Sequence, residues 1–560
     1  MKKLYIMFIS LIAIFNSYGQ NTNIVGVAEK YLMHDKDLLL SKYKSIERPF
    51  EANSYRPVFD EERLFTSKYF VFHYTTKYGL DSVSNVDADF NGLPDYVEDM
   101  AMIFDSIYNT FVRNKFTLPP SDGVIGGDSL YDVYIGNLDA IGTTVCGFVL
   151  PEDNIGDNNM SKEIETDAWT SFMCMRNDYS KFAGDKDIVM KVTSAHEFMH
   201  AIQLGYAKTN MSLWFKEMTA VWAEDLVFPG LDDNLYYLKD LFFNFDIALN
   251  LSVLQDANGK YYEHWYGTWL FAKYITEHTS DTIINNIYKR TITYTEIKGI
   301  DDALALYGSS FKEMQNNFYI ANVLLTNSAQ AEPYTYERGK VYYNYLKANQ
   351  GGLGLDGVIN FKGIDLSYYS NVDGNGRLMR MGADYISFKA SKSVHIVLKP
   401  ETKNTDMELV LLKINFSSGE FALQEIEKNT DGYYSTFLDS VSNYSSYIII
   451  VKRFDKNYYS TASLQYEIYS SEYPLSISEN VLDNNCNVEI NCYDNCINMV
   501  NKSEDKGSFI ISNLQGSVVI RADLKGMDNK SYNLPRGMYI INVFNVNNEC
   551  VKRKKALLLE

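Results

Sequence analysis

The sequence predicts a multidomain α+β protein, with strands and helices mixed in its first half and two all-β sandwich domains after them. Three observations predict it. At 560 residues the chain is too long for one hydrophobic core. Between about 187 and 325, apolar residues recur at helical spacing, as in Ile188, Val192, Ala195, Met199 and Ile202. From about 350 the pattern changes to short alternating runs separated by Gly, Asn, Asp and Ser, such as Ala383-Asp384-Tyr385-Ile386-Ser387-Phe388 and Tyr447-Ile448-Ile449-Ile450-Val451. The expected units are 1–19, 20–62, 63–345, 346–478 and 479–560.

Residues 1–19 have the layout of a signal peptide. Lys2 and Lys3 precede an apolar core from Leu4 to Phe15, too short to span a bilayer, and small Ser17 and Gly19 set cleavage before Gln20. No later stretch has the length and apolarity of a transmembrane helix. The expectation is therefore an exported chain, secreted or at the cell surface, with no transmembrane segment in its mature form. Residues 20–62 are charged and helical in pattern; they read as a leader or as a propeptide-like segment, and the sequence leaves both open. A net charge of −19 argues against a nucleic-acid partner. Export permits disulfides: Cys146 and Cys174 lie in the first half, and Cys486, Cys492, Cys496 and Cys550 near the end, an even number in each group.

In the unit 63–345, Lys68–Thr75 is aromatic and β-branched and reads as a strand. Asp87-Ala88-Asp89-Phe90-Asn91-Gly92-Leu93-Pro94-Asp95-Tyr96-Val97-Glu98 fits the calcium-loop pattern D-x-[DN]-x-[DN]-G-x5-E. Asp87, Asp89 and Asn91 would supply alternating oxygens, Asp95 a direct or water-bridged contact, and Glu98 a bidentate carboxylate, holding a structural Ca2+. A helix follows from Tyr96 to Arg113, and strands are expected within 129–150. Helices are expected over 187–206 and 213–227, then over 260–278, 281–292 and 299–325.

The chemistry centres on His196-Glu197-Phe198-Met199-His200, an H-E-x-x-H on the helix 187–206. Histidines four apart share one helical face and can converge on one metal ion, with Glu197 placed to take a proton from water activated there. A hydrolytic zinc needs a third protein ligand. Glu217 on the next helix supplies it after one loop and a return, with Glu224 or Asp225 as rivals. Glu224, two turns on, can instead orient a ligating histidine through its second ring nitrogen. The oxyanion of the reaction also needs a stabiliser. Tyr262, His264 and Tyr266 are candidates, of which Tyr266 is taken as catalytic beside Glu197. His73 reads as a structural strand histidine.

HEFMH followed by W-x-x-E-x-x-A, Trp214 to Ala220, resembles the gluzincin metallopeptidases. That resemblance implies Zn2+ on His196, His200 and Glu217, with Glu197 as base. The G-x-M-E-N motif of the aminopeptidases is absent upstream, so it points to an endopeptidase. More closely, residues 66–330 resemble a group of secreted bacterial zinc peptidases that join F-x-x-H-Y, D-x-D-x-N-G-x-P-D-Y-V-E, H-E-x-x-H-A-x-Q and W-x-x-E-x-x-A-x-W-x-E. Here those elements are Phe70 to Tyr74, Asp87–Glu98, His196–Gln203 and Trp214–Glu224. Residues 479–560 resemble the sorting domain of the type IX secretion system, through Val518-Val519-Ile520, Leu534-Pro535-Arg536-Gly537-Met538-Tyr539-Ile540-Ile541 and the basic Val551-Lys552-Arg553-Lys554-Lys555. The resemblances imply a protein or peptide substrate and the type IX machinery as partners. The rival from another class is a non-catalytic surface or adhesion protein on a metallopeptidase scaffold; a zinc hydrolase acting on a non-peptide amide is a third.

Overall fold

The structure is a computed structural model. It describes residues 56–349 except 183, 210, 252–253, 256–260 and 263, then 369–370 and 378–558 except 389–393, 403–405, 416, 430–431, 439–443, 445, 455–462, 465, 472–479, 482–486, 494–495, 514–517, 536 and 548–549. The expected signal peptide and most of the segment 20–62 lie outside the described residues.

The chain is α+β, with several separate sheets. Strands β1 (Arg63–Thr66), β2 (Phe70–Tyr74), β3 (Tyr131–Gly136), β4 (Gly147–Gly156) and β5 (Ala168–Arg176) form one sheet in the order β1-β2-β3-β5-β4. β2, β3 and β5 run parallel, while β1 and β4 are antiparallel to their neighbours. Side chains alternate between the faces. Phe70, Phe72, Val133, Ile135, Met173 and Met175 enter the main core in front. Tyr134, Phe172 and Cys174 enter a smaller rear cluster that Phe59, Leu138 and Ile141 close. β2 is buried at all five positions, which is why it reads as an unbroken apolar run. β5 was not among the expected strands.

Arg56 crosses the rear of this sheet. It grips Glu152 with two bonds (Nε–Oε1 2.8 Å, Nη2–Oε2 2.7 Å) and also donates to Asp122, Asp132 and the carbonyl of Ile125. His73, from β2, reaches the same Asp132 through Nε2 at 2.9 Å and stacks on Tyr134, as expected of a structural strand histidine.

Two helices cover the front, and a third packs on the second. α1 (Asp95–Arg113) is amphipathic and buries Val97, Met100, Phe104, Ile107 and Phe111. α2 (Lys186–Tyr206) starts at Asp185, whose side chain accepts from the N–H of Asp187 at 2.9 Å, a helix cap. It is buried almost all round, between the sheet and α3 (Leu213–Val227). Later helices are Trp269–Glu277, Ile283–Thr291, Glu296–Leu304 and Phe311–Leu324, each shorter than the expected span it falls on, and Gly339–Asn349, which was not expected. The single helix expected over 299–325 breaks at Gly308, whose φ of 73° suits glycine, and restarts at Ser310, whose hydroxyl caps Glu313 N–H at 3.1 Å.

The middle unit packs two four-stranded sheets face to face. One runs Ala383–Phe388, Ser446–Arg453, Met407–Ile414, Phe421–Ile426; the other Tyr434–Leu438, Val394–Pro400, Tyr466–Ser471, Tyr369–Ser370. Its inner faces make their own core. The outer face of the first sheet joins the main core through Met381, Ala383, Tyr385, Leu412, Ile414, Ile448 and Ile450. Tyr319 and Gln315 both donate to the carbonyl of Met381, and Tyr385 donates to the carbonyl of Tyr319 at 2.8 Å. Hydrophobic packing therefore continues across the expected boundary at 345/346.

The last unit is a second sandwich, five strands against three, with a separate core. Lys552 and Lys554 of its basic final strand donate to the carbonyls of Val488 and Ile490, both at 2.8 Å. Cys146 is a buried free thiol, so it is not bridged to Cys174; Cys496 and Cys550 are free thiols too, and Cys486 lies outside the described residues. Among the described residues no helix is long and apolar enough to cross a membrane.

Removing the Arg56 charge leaves Asp122, Asp132 and Glu152 buried without that cation. Breaking a buried pair from one side costs about 3–5 kcal/mol. Arg56→Met is expected to lose that much in a denaturant titration. A loss below about 1 kcal/mol, typical of a surface pair, would show that the guanidinium does not pin the N-terminal segment to the sheet.

Candidate metal centre

α2 presents His196 and His200 one turn apart, with ring centroids 4.8 Å from each other. α3, which follows six residues after α2, packs along it and brings Glu217 opposite both rings. Glu217 Oε2 lies 3.3 Å from His196 Nε2 and 3.6 Å from His200 Nε2. The ligand atoms of the three residues all fall within 4.8 Å of one another. Among the described residues this is the one group of His, Cys, Asp or Glu so gathered.

The outer nitrogens fix which atoms face inward. His196 Nδ1 meets Glu224 Oε1 at 2.8 Å, and His200 Nδ1 meets Gln203 Oε1 at 2.9 Å. Both partners are acceptors, so each Nδ1 carries a hydrogen, and each Nε2 faces Glu217 as the position where a proton or a metal ion can be taken up. Glu217 Oε2 is buried yet makes no well-formed hydrogen bond. Such an atom is costly to bury. A divalent ion shared by both Nε2 atoms and this oxygen would satisfy it, so the residues present fit a metal. Glu224 meets the outer nitrogen of His196, and Glu217 is the carboxylate grouped with the two imidazoles. Asp225 instead pairs with Lys273 at 3.0 Å.

The electrostatics express the same need. Burial disfavours charge on His196, but Glu217 and Glu224 outweigh it and lift its pKa to about 10. Burial likewise raises Glu217, but the closeness of the His200 and His196 imidazoles prevails and holds it down to about 2. Glu224 is pushed up to about 7 by burial, against the pull of His196. The pocket favours positive charge between the two imidazoles.

Glu197 is 2% exposed, and burial raises its pKa. It lies against the start of β4. A Cβ added at Gly147 would fall 2.9 Å from Glu197 Cγ and 3.0 Å from Met175 Sδ, so only glycine lets the strand come this near. Tyr266 borders the centre, its ring 6.2 Å from that of His196 and 5.0 Å from that of Tyr237. His264 is a core residue. Burial pushes its pKa down to about 4, with the backbone of Asp240 and Ala248 beside it, and neither ring nitrogen makes a well-formed hydrogen bond. The side chain of Tyr262 lies outside the described residues. Gly147 and Gln203 were assigned no role from sequence, although Gln203 stands three residues after His200, on the same helical face.

The turn 88–92 is exposed and Asp87, Asp95 and Glu98 are partly so, and these carboxylates do not gather as His196, His200 and Glu217 do. Asp87 accepts from the N–H groups of Asn91 (3.1 Å) and Gly92 (2.9 Å), and Asp95 from that of Ala88 (2.9 Å). Asn91 Nδ2 bridges Asp89 (3.0 Å) and Glu98 (2.7 Å). Gly92 takes the left-handed turn the pattern requires, with φ of 91°.

No family model matches the chain, and no curated protein matches it. Solved structures resemble parts of it. The pre-peptidase C-terminal domain of a collagenase from Bacillus anthracis is 15% identical, with a TM-score of 0.14, over 20% of this chain and 91% of that one. The BSP domain of a biofilm-associated protein is 10% identical, with a TM-score of 0.12, over 35% and 51%. A β-glucuronidase from Ruminococcus gnavus is 13% identical, with a TM-score of 0.11, over 31% and 35%. Likenesses this slight say nothing of what this chain does.

The pKa shifts set a pH signature. His196 keeps its proton to about pH 10 when folded, against an ordinary 6.5, so the stability this confers is complete below 6.5 and drains as pH rises toward 10. Glu224 acts in the same sense between 4.5 and about 7. Glu217 acts oppositely, its contribution lost only as pH falls from 4.5 toward about 2. With a chelator in excess, Tm should therefore fall as pH rises above 6.5. Saturating divalent metal, in the proton's place, should remove that slope. A chelated protein with a flat Tm from pH 6.5 to 10 would contradict this charge pattern.

Proposed function

We propose that this chain is an exported zinc-dependent endopeptidase. One observation carries the reading: His196 Nε2, His200 Nε2 and Glu217 Oε2 converge on one point, while Glu197 is buried beside His196 on the same helix. Two imidazoles and one carboxylate are a ligand set of water-activating zinc, which leaves a position for solvent. Zinc, when bound, supplies a Lewis acid that polarises a carbonyl and makes water easier to deprotonate.

The chain's own residues do the rest. The Glu197 carboxylate accepts a proton from the attacking water and passes it to the leaving amine nitrogen. Burial, by raising its proton affinity, strengthens it as the base of the first step. Glu224 and Gln203 hold the imidazoles in register. Tyr266, next to the His196 ring, is the proposed oxyanion stabiliser. β4 is the outer strand of its sheet, and Gly147 at its start touches Glu197. An extended peptide pairing with that edge would run past the base, which favours a peptide substrate.

On the motif in 87–98 a structural Ca2+ is proposed; the Asn91 amide now sits between Asp89 and Glu98, where an ion would. On the resemblance in 479–560, export is proposed to run through the type IX machinery, leaving the protein secreted or on the cell surface.

Glu197→Gln is expected to retain bound zinc by elemental analysis and to cut casein or a peptide library about 10²- to 10⁴-fold more slowly. Absence of zinc from both proteins would defeat the site. Zinc in both with no cleavage by either would favour the binding-protein reading. For the loop, calcium should raise the Tm of the wild type but not of Asp87→Ala; a wild-type Tm indifferent to calcium would end that assignment.

A further inference from the structure

The two metal-facing histidines are held by different chemistry. His196 leans on a carboxylate, Glu224, and His200 on a neutral amide, Gln203. Gln203 is 2% exposed and does more than accept one hydrogen. Its Nε2 donates to the carbonyl of Lys216 at 2.9 Å and lies 3.2 Å from Thr219 Oγ1, both on α3. A carbonyl oxygen only accepts, so the nitrogen of the amide must face α3 and its oxygen must face His200. The orientation is thus forced, and with it the proton on His200 Nδ1.

The far side of this contact is as constrained. Lys216 immediately precedes Glu217, so the amide grips the peptide unit that carries the third ligand. Thr219 Oγ1 also bonds the carbonyl of Phe215 at 2.8 Å and the hydroxyl of Tyr288. Tyr288 stands on the helix Ile283–Thr291, which also meets α2 where Tyr206 donates to Asn285 at 2.8 Å. One polar chain therefore joins His200, Gln203, Thr219 and Tyr288 across three helices.

We infer that Gln203 is a positioning residue of the metal centre: it sets the tautomer of His200 and, through the Lys216 carbonyl, the placement of Glu217 against it. This rests on the reading that His196, His200 and Glu217 hold a divalent metal. The amide is required. An ionised Glu in its place would keep an acceptor for His200 but would set an oxygen against the Lys216 carbonyl, with no hydrogen to share. A Met of similar length would serve neither side.

The test compares wild type, Gln203→Glu and Gln203→Met by chelator competition with zinc, by the visible spectrum of the cobalt-substituted protein, and by Tm in chelator. Circular dichroism checks folding. Gln203→Met should bind zinc about 10- to 100-fold more weakly, the usual effect of losing such a partner, and its cobalt spectrum should change. Gln203→Glu, which keeps the acceptor, should hold zinc more tightly than Gln203→Met while losing Tm in chelator. If Gln203→Met lowers Tm but leaves zinc affinity and the cobalt spectrum as in wild type, Gln203 is only a tie between helices and the inference falls. If wild type binds neither zinc nor cobalt, the metal reading falls and takes this one with it.

Discussion

Burying a helix on every side obliges each polar atom it carries to find a partner inside the protein. α2 carries two imidazoles, a carboxylate and an amide into such surroundings. The neighbouring helix answers with Glu217, Glu224, the Lys216 carbonyl and Thr219. What it does not supply is a donor for the inward oxygen of Glu217. Two lone pairs and that oxygen face one another at distances that only a proton or a cation reconciles. The need for positive charge at this point organises the centre more than any single contact does.

The five-stranded sheet serves that centre from both faces. In front, Met173 and Met175 support α2, and Gly147 lets β4 approach Glu197. Behind, Arg56 takes Glu152 of β4, Asp132 of β3 and Asp122 of the loop before it. The strand whose front end touches Glu197 is thus held from the rear by a buried ion cluster. Phe59, close to Arg56 in the chain, seals the same face. Residues 56–62, expected within a leader or propeptide-like segment, are accordingly part of the folded wall. The middle sandwich is joined too, because the face it turns to Phe311–Leu324 is apolar and contributes to the main core.

Much is legible in the sequence alone. The H-E-x-x-H helix and the W-x-x-E helix were read with ends within a residue or so of those observed, because a periodic apolar stripe and short polar caps are local signals. Helical spacing placed Glu224 two turns from Glu217 on one face, able to orient a histidine; Glu217 as third ligand rested on the loop length and the gluzincin resemblance, with Glu224 and Asp225 as rivals. The loop 87–98 was legible as a turn-forming pattern, and Gly92 adopts the required conformation. Whether its oxygens converge depends on side-chain rotamers, and there the Asn91 amide occupies the centre. β5 escaped because residues 168–176 are buried almost throughout and show little alternation.

By itself the sequence determined the local geometry: which residues share a helical face, where helices start, and which residue types could hold a metal. Those properties depend on neighbours three or four positions apart, so order along the chain suffices. Only the tertiary structure decided that Gln203 reaches both His200 and α3, that Gly147 admits β4 to Glu197, that Arg56 braces the strand from behind, and that one core runs across the boundary expected at 345/346. Each joins residues distant in sequence, and only close packing in three dimensions brings them together.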